Sequence, residues 1–527
     1  MSGRKRNERG LFGIVKKKSV LFTFNPRKGE ECSSDSDDSD YFPGRHSTDE
    51  EDVESFFEKQ QLKVAKKRVK KAASSGPNQK SKKTRRDIKS NEENQDTLKG
   101  HPSRLPPEVL LKIFIYGVQL EGITQFLPRV SRVCKEWHDT ASDPSLLKHL
   151  DLSFYGEVGD STNQRRVINL TKQRLDMLLS SRNLSHCQSL NLSGQDKLSV
   201  SHIKTMLAQT PNLASLDLRG CQVNSDMLKK LPELNPFLQR IDLSYLFQSS
   251  NSLSYGSVEG LVTAFGSKLV ELRLGGMVAI NNKLEAMLKT IMLCCPLLEE
   301  LDLSRPLNTS ISAIQYVVDM GKLTRACPRL TEIRLDGYSI LDETEETRPH
   351  SSAFPRLRIF SQSLHLCQQH EYSAFYRMFY KNELAELNIS QTNLQPSKVG
   401  GVTSKVTSVK RLNLSNMLWS SEDVTEIGSC MSSWLDSIEI LDLSGNKRES
   451  FNDELSFFSQ PGQCAGAHLQ AINLSNSVVN SQSVLNIVRH CKSLRAIDLT
   501  ACRELPRGCK RAFRHEEFSE LIKSLST

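Results

Sequence analysis

"LASLDLRGC", Leu213 to Cys221, holds three leucines at the spacing L-x-x-L-x-L ahead of a glycine. Leu216 and Leu218 alternate with Ser215, Asp217 and Arg219. That period of two points apolar side chains to one face of a short strand and polar ones to the other. The pattern returns as CQSLNLS from Cys187, LEELDLS from Leu298, IEILDLS from Ile438 and LRAIDLT from Leu494, with a weaker copy, LRIFSQS, from Leu357. Its registers begin at 147, 187, 213, 238, 269, 298, 330, 357, 384, 409, 438, 469 and 494, and after the first the period is about 28 residues. Between them the spacing turns helical, as in Ile203, Met206 and Leu207, or Val484, Ile487 and Val488.

A strand-plus-helix unit of this size has an apolar face it cannot cover alone, and stacking neighbours covers it. The concordant registers are the leucine-rich-repeat signature, which implies an α/β solenoid, a horseshoe with a parallel sheet on its concave side. The predicted organisation is a disordered charged tail over 1–100, a small all-α module over 101–146, the solenoid over 147–505 and a capping helix over 506–527. The cap is read from Phe518, Leu521, Ile522 and Leu525, which fall on one helical stripe.

The all-α module opens with LPPEVLLKIF, Leu105 to Phe114. Two prolines suit the first turn of a helix, where no backbone donor is lost. Val109, Leu110, Ile113 and Phe114 form an i, i+1, i+4, i+5 stripe; Leu127, Val130, Val133, Cys134 and Trp137 form a second, and Asp143 is placed as an N-cap ahead of Pro144. Three short helices carry more apolar surface than so small a core can bury, so part of it must face a neighbour.

LPPEVLLKIF followed by VSRVCKEWHDTASDPSLL resembles the F-box, and with the repeats the chain resembles the F-box and leucine-rich-repeat family. The intervening YGVQLEGITQF is longer than the family pattern. The resemblance implies a substrate-recognition subunit of an SCF-type (Skp, cullin, F-box) ubiquitin ligase. The F-box would hold the Skp adaptor and, through it, the cullin and RING subunits, while the solenoid holds the protein to be ubiquitinated. On this reading the adaptor contacts are Leu105, Pro106, Val109, Leu110, Ile113, Phe114, Val130, Val133, Cys134 and Trp137. The chain would be non-catalytic and without cofactor. No nucleophile elbow, dinucleotide fingerprint or phosphate-binding loop is found in it. A ligase-independent solenoid, acting as a binding scaffold or inhibitor, is the alternative.

The chain's formal charge of +9 is concentrated in the tail, where residues 1–100 hold 24 Lys and Arg against 17 Asp and Glu. An acidic block, Glu30 to Glu58, precedes a basic one, Lys59 to Lys89. Such like-charge blocks cannot bury enough surface to offset chain entropy. Lys66, Lys67, Arg68, Lys70 and Lys71 have the density of a nuclear import signal, so an intracellular, nuclear protein is expected, with the cytoplasm as alternative. The basic run lacks interleaved aromatics, so no specific nucleic acid is expected, and no apolar run is long enough to span a membrane. Ser34 and Ser47 each precede an acid by three residues and are candidate phosphorylation sites.

Thirteen cysteines without a C-x-x-C pair read as reduced, buried structural thiols. The nearest approach to a metal cluster, His365, Cys367 and His370, is read as none. Tyr372, Tyr376 and Tyr380 on one row, and Phe375 and Phe379 on another, read as rim and core of the solenoid. Asp or Asn recurs at one outward strand position, read as a solvated column, and Arg219, Arg240, Arg273 and Arg334 stand out as candidate contacts for an acidic or phosphorylated target.

Overall fold

A computed structural model describes residues 105–153, 170, 172–246, 253–306, 317–341, 354–364, 383–394, 409–418, 437–447, 451–455, 458 and 466–526. The expected disorder of the tail, the import signal, Ser34 and Ser47 lie outside these residues. So do His365, Cys367, His370 and the Tyr372 to Tyr380 rows.

Three helices come first: α1 (Pro107–Glu121), α2 (Ile123–Val130) and α3 (Lys135–Ala141). Pro106 opens α1, and its carbonyl accepts from the backbone N–H groups of Val109 and Leu110 at 2.9 and 3.0 Å. Gly122 ends α1 with φ +81, a conformation that a side chain would strain. It lets the chain turn directly into α2, so the long YGVQLEGITQF stretch is absorbed as extra helix. Gly117 supplies the other fit: a Cβ there would run into the Phe126 ring of α2. Asp143 caps the following 3-10 turn as expected, its Oδ1 accepting from the Ser145 N–H at 2.8 Å.

The solenoid strands are three residues long, and the first is His149–Asp151. All thirteen sequence registers form a strand, each paired in parallel with its spatial neighbours, through to Ala496–Asp498. Pairing is exactly repeat-on-repeat: Ser215, Leu216 and Asp217 stand beside Arg240, Ile241 and Asp242. Equivalent positions therefore form columns along the sheet. Leu213, Leu216 and Leu218, at no more than 1% exposure, point into the core, against apolar helix faces such as that of Val200–Gln209.

Two features depart from the sequence reading. A fourteenth strand, Ala512–Arg514, closes the sheet antiparallel to Ala496–Asp498. Its hydrogen-bonding edge is thus covered before the capping helix Phe518–Ser526 begins, and that helix buries Phe518, Leu521 and Leu525. Separately, Val317–Asp319 pairs with Ser339–Leu341 in a two-stranded sheet outside the main one.

At the other end, Leu146, Leu147 and Leu150 are buried, and the Arg182 guanidinium donates to the Ala141 carbonyl at 2.7 Å. The helical module thus covers the first repeat. Buried thiols bind successive repeats together: Cys221 Sγ donates to the Leu192 carbonyl at 3.0 Å and Cys502 Sγ to that of Leu474 at 3.1 Å. Burial pushes the Cys221 thiol up to about 12 and that of Cys502 to about 11, so both are held as neutral S–H groups. Among the described residues every cysteine is free, and Cys134 is exposed, unlike the buried majority.

Candidate protein-interaction surfaces

Successive helix residues are rotated by about 100°, so within each adjacent pair, Val109/Leu110 and Ile113/Phe114, the two side chains can face different neighbours. The structure separates them. Leu110 and Phe114 are buried at 1% and 0% exposure, whereas Val109 and Ile113 are exposed at 41% and 44%. Phe114 is the hub of the module, its ring meeting Phe126 edge-on at 5.5 Å and Trp137 at 5.4 Å between centroids. Val130 is buried as well. Leu110, Phe114 and Val130 are therefore corrected from surface contacts to core residues, since a side chain enclosed by its own domain presents no area to another. Trp137 is half-buried against this core, and Leu105, Pro106, Val133 and Cys134 are exposed.

The outward row does not stop at Ile113. Tyr116 and Leu120 continue it at 67% and 61% exposure. Val109, Ile113, Tyr116 and Leu120 follow a 4-3-4 spacing that keeps them on one face of α1. Tyr116 and Leu120 were missed because they fall in the stretch longer than the family pattern, although the helical spacing ran straight through it. Large apolar side chains aligned on one exposed helix face are the pattern of a helix that seats in a groove.

The concave face of the solenoid is a lattice of ion pairs. Arg273 reaches Glu271 at 2.8 Å, Glu300 at 2.6 Å and Glu332 at 2.9 Å. Arg240 reaches Glu271 at 3.1 Å and Glu300 at 3.2 Å; Arg334 reaches Glu332 at 2.7 Å and Arg219 reaches Asp217 at 3.2 Å. All four arginines picked out by sequence are thus partnered within the sheet, and Arg334 is only 4% exposed. This corrects the expectation of cations open to an acidic target: acids two residues away in the same repeat, and acids in columns one or two strands away, meet these arginines. Burial pushes Glu332 up, but Arg334 and Arg273 outweigh it and hold the carboxylate below its ordinary range. Glu271 moves the other way, raised by burial and by Glu300 and Asp242 despite Arg273.

The Asp and Asn column is structural rather than merely solvated. Asp242, Asp302, Asn388, Asn413, Asp442, Asn473 and Asp498 are buried. Each turns its Oδ1 back to accept the backbone N–H two residues on, as Asp242 does from Ser244 at 2.8 Å and Asp498 from Thr500 at 2.9 Å. This Asx turn ends every such strand at its third residue. Where two carboxylates adjoin, the cost is visible: burial, and then Asp242, push Asp217 up to about 7.

Among the described residues, no three His, Cys, Asp or Glu side chains are grouped to hold a metal ion, and no helix is long and apolar enough to cross a membrane. Comparison with known proteins gives a family match and two structural likenesses. Residues 102–153 match the F-box-like family. The Rad7–Elc1 complex of yeast is similar at 15% identity and a TM-score of 0.41, over 61% of this chain and 77% of that one. An internalin of Listeria monocytogenes is similar at 13% identity and a TM-score of 0.30, over 63% of this chain and 83% of that one. Residues 102–153 are an F-box-like domain whose first helix carries the exposed row Val109, Ile113, Tyr116 and Leu120.

Proposed function

We propose that this chain is a non-catalytic, substrate-recognition subunit of an SCF-type ubiquitin ligase. The F-box-like domain binds a Skp adaptor and, through it, the cullin and RING subunits. The solenoid binds the protein to be ubiquitinated. The observation that carries the reading is the exposed apolar row of α1 within a domain that matches the F-box-like family. Within the wider family, the C-terminal LPRGCKRAFR resembles F-box/LRR-repeat protein 6.

The concave ion-pair lattice makes the target surface less simple than four free arginines. Exposed parts of that face and the rims of the repeats are the surfaces left for a target. Import to the nucleus through Lys66, Lys67, Arg68, Lys70 and Lys71 belongs to the same proposal, and replacing these five with alanine is expected to shift the protein to the cytoplasm. An unchanged distribution would refute that part alone.

The experiment compares proteins captured by the full chain with those captured after deletion of residues 105–147, under proteasome inhibition. Adaptor and cullin should vanish on deletion, while solenoid targets persist and accumulate. If adaptor and cullin are missing from the full-chain capture, the ligase-independent scaffold or inhibitor takes the place of this reading.

A further inference from the structure

At the C-terminal end of the solenoid, where the last repeats turn into their strands, lies a cavity of about 320 Å³. Its charged and polar lining consists of His468, Gln470, Lys492, Ser493, Arg495 and His515. Three different turns contribute, and no carboxylate is among the lining residues. On the concave face each arginine named above is matched by acids, so a pocket without a carboxylate in its lining stands apart from that face.

The backbone beneath the lining is also held in place. Arg495 N–H donates to the Gln470 carbonyl at 2.7 Å, and His515 N–H donates to the Arg495 carbonyl at 2.8 Å, so Gln470, Arg495 and His515 form one continuous row just outside the ends of three strands. Ser493 Oγ donates to the Ala467 carbonyl and ties the two neighbouring turns together. His515 Nδ1 lies 3.1 Å from the Leu494 carbonyl. A carbonyl only accepts, so Nδ1 carries the hydrogen, and Nε2 is the nitrogen left for a ligand. The ring is further fixed edge-on against Phe518 at 5.5 Å. Two acids follow His515 directly: Glu517 is engaged by Arg511 at 2.7 Å and by the Arg514 N–H at 2.9 Å, and the exposed Glu516 is not among the lining residues.

An open depression lined by guanidinium, ammonium and imidazole groups suits a compact anion with several acceptor oxygens. We propose that this pocket binds a phosphomonoester, presented by a phosphorylated serine or threonine of a protein segment held on the solenoid. Arg495 offers a planar fork and Lys492 a point charge to the phosphate oxygens; His515 Nε2 adds a donor when the ring is protonated. The assignment of the phosphate to a bound protein rests on the reading of the solenoid as the protein-holding part. Phosphate binding by the pocket itself does not depend on the adaptor.

The test titrates the full chain with N-acetyl-phosphoserine amide, N-acetyl-serine amide and inorganic phosphate, by calorimetry at low salt, where an exposed site is least screened. The phosphoserine probe is expected to bind and the unphosphorylated one to give no signal. The double variant Lys492→Glu, Arg495→Glu should weaken phosphoserine binding at least tenfold with an unchanged melting temperature, both positions being exposed. Lys492→Ala, which reverses no charge, should give a smaller loss of the same sign. Equal binding by wild type and double variant overturns the pocket assignment, as does no binding by the wild type. Inorganic phosphate binding as tightly as the phosphoserine probe overturns the side-chain source. Adaptor capture is measured on the same variants and should be unaltered, so failure here is distinguishable from failure of the ligase reading.

Discussion

Phe114 and Trp137 meet nearly perpendicular, at 77°, with ring centroids 5.4 Å apart, and this contact joins α1 to α3 at the centre of the helical module. Its neighbour in sequence, Ile113, faces away from it. Phe114→Ala is expected to destabilise the domain by about 3–5 kcal/mol, the cost of a large cavity in a small core. Ile113→Ala should cost less than about 1 kcal/mol, as at other exposed sites. Thermal unfolding of the two variants checks this, and equal losses would mean that the inward and outward assignments are wrong.

Arg273 and Arg240 share carboxylates but not surroundings. Arg273 is 15% exposed and touches three glutamates, so Arg273→Ala leaves three partly buried carboxylates to Arg240 and Arg334 alone and should cost about 3 kcal/mol. Arg240→Ala, at a side chain 41% exposed, should cost no more than about 1 kcal/mol. Denaturant melts of both variants decide it; a neutral Arg273→Ala would show that the lattice adds nothing to stability.

Asp217 gives the sheet a pH signature. Its folded pKa is raised from 3.8 to about 7 by burial and Asp242, so between those values the folded chain holds a proton that the unfolded chain has released. Stability contributed by this site therefore falls as pH rises from about 4 to about 7 and is level above. Asp217→Asn keeps an oxygen for the Arg219 N–H and should flatten that fall, by on the order of 1–4 kcal/mol across the window at about 1.4 kcal/mol per pKa unit. Chemical melts at pH 5 and 7.5 read it, and an identical pH slope in the variant would contradict it.

Thiol chemistry should divide the described cysteines sharply. Cys134 is exposed, while Cys221, Cys295 and Cys491 are buried with thiols pushed up to about 12. A maleimide reagent on the native protein should label Cys134 within minutes and the other three only on unfolding. Site-resolved mass spectrometry checks the order; fast labelling of Cys221 would show that the repeats open.

The solenoid was legible in sequence because the same alternation is printed thirteen times, and each copy needs only its own residues to be read. The antiparallel strand Ala512–Arg514 was not, since Phe513 is its single apolar centre and no leucine motif precedes it. The arginine partners from other repeats were hidden for another reason. Arg240 meets Glu300 sixty positions away, a distance set by repeat stacking and invisible to local spacing. Within the F-box-like domain the apolar positions were legible as a set. Their division into core and surface was not, because an i, i+1, i+4, i+5 stripe is wide enough to face two ways until the packing of α2 and α3 fixes the rotation of α1.

The central claim is that the outward row of α1 holds an adaptor, and gel filtration of the purified chain with excess Skp adaptor measures it directly. Burying such a row at about 1.5–3 kcal/mol per large side chain suffices for a stable complex after association costs. The wild-type chain should co-elute with the adaptor. Val109→Asp with Ile113→Asp should elute alone at an unchanged melting temperature, and Tyr116→Ala with Leu120→Ala should weaken co-elution. A wild-type chain that elutes without the adaptor, or a Val109→Asp, Ile113→Asp variant that still carries it, would contradict the account.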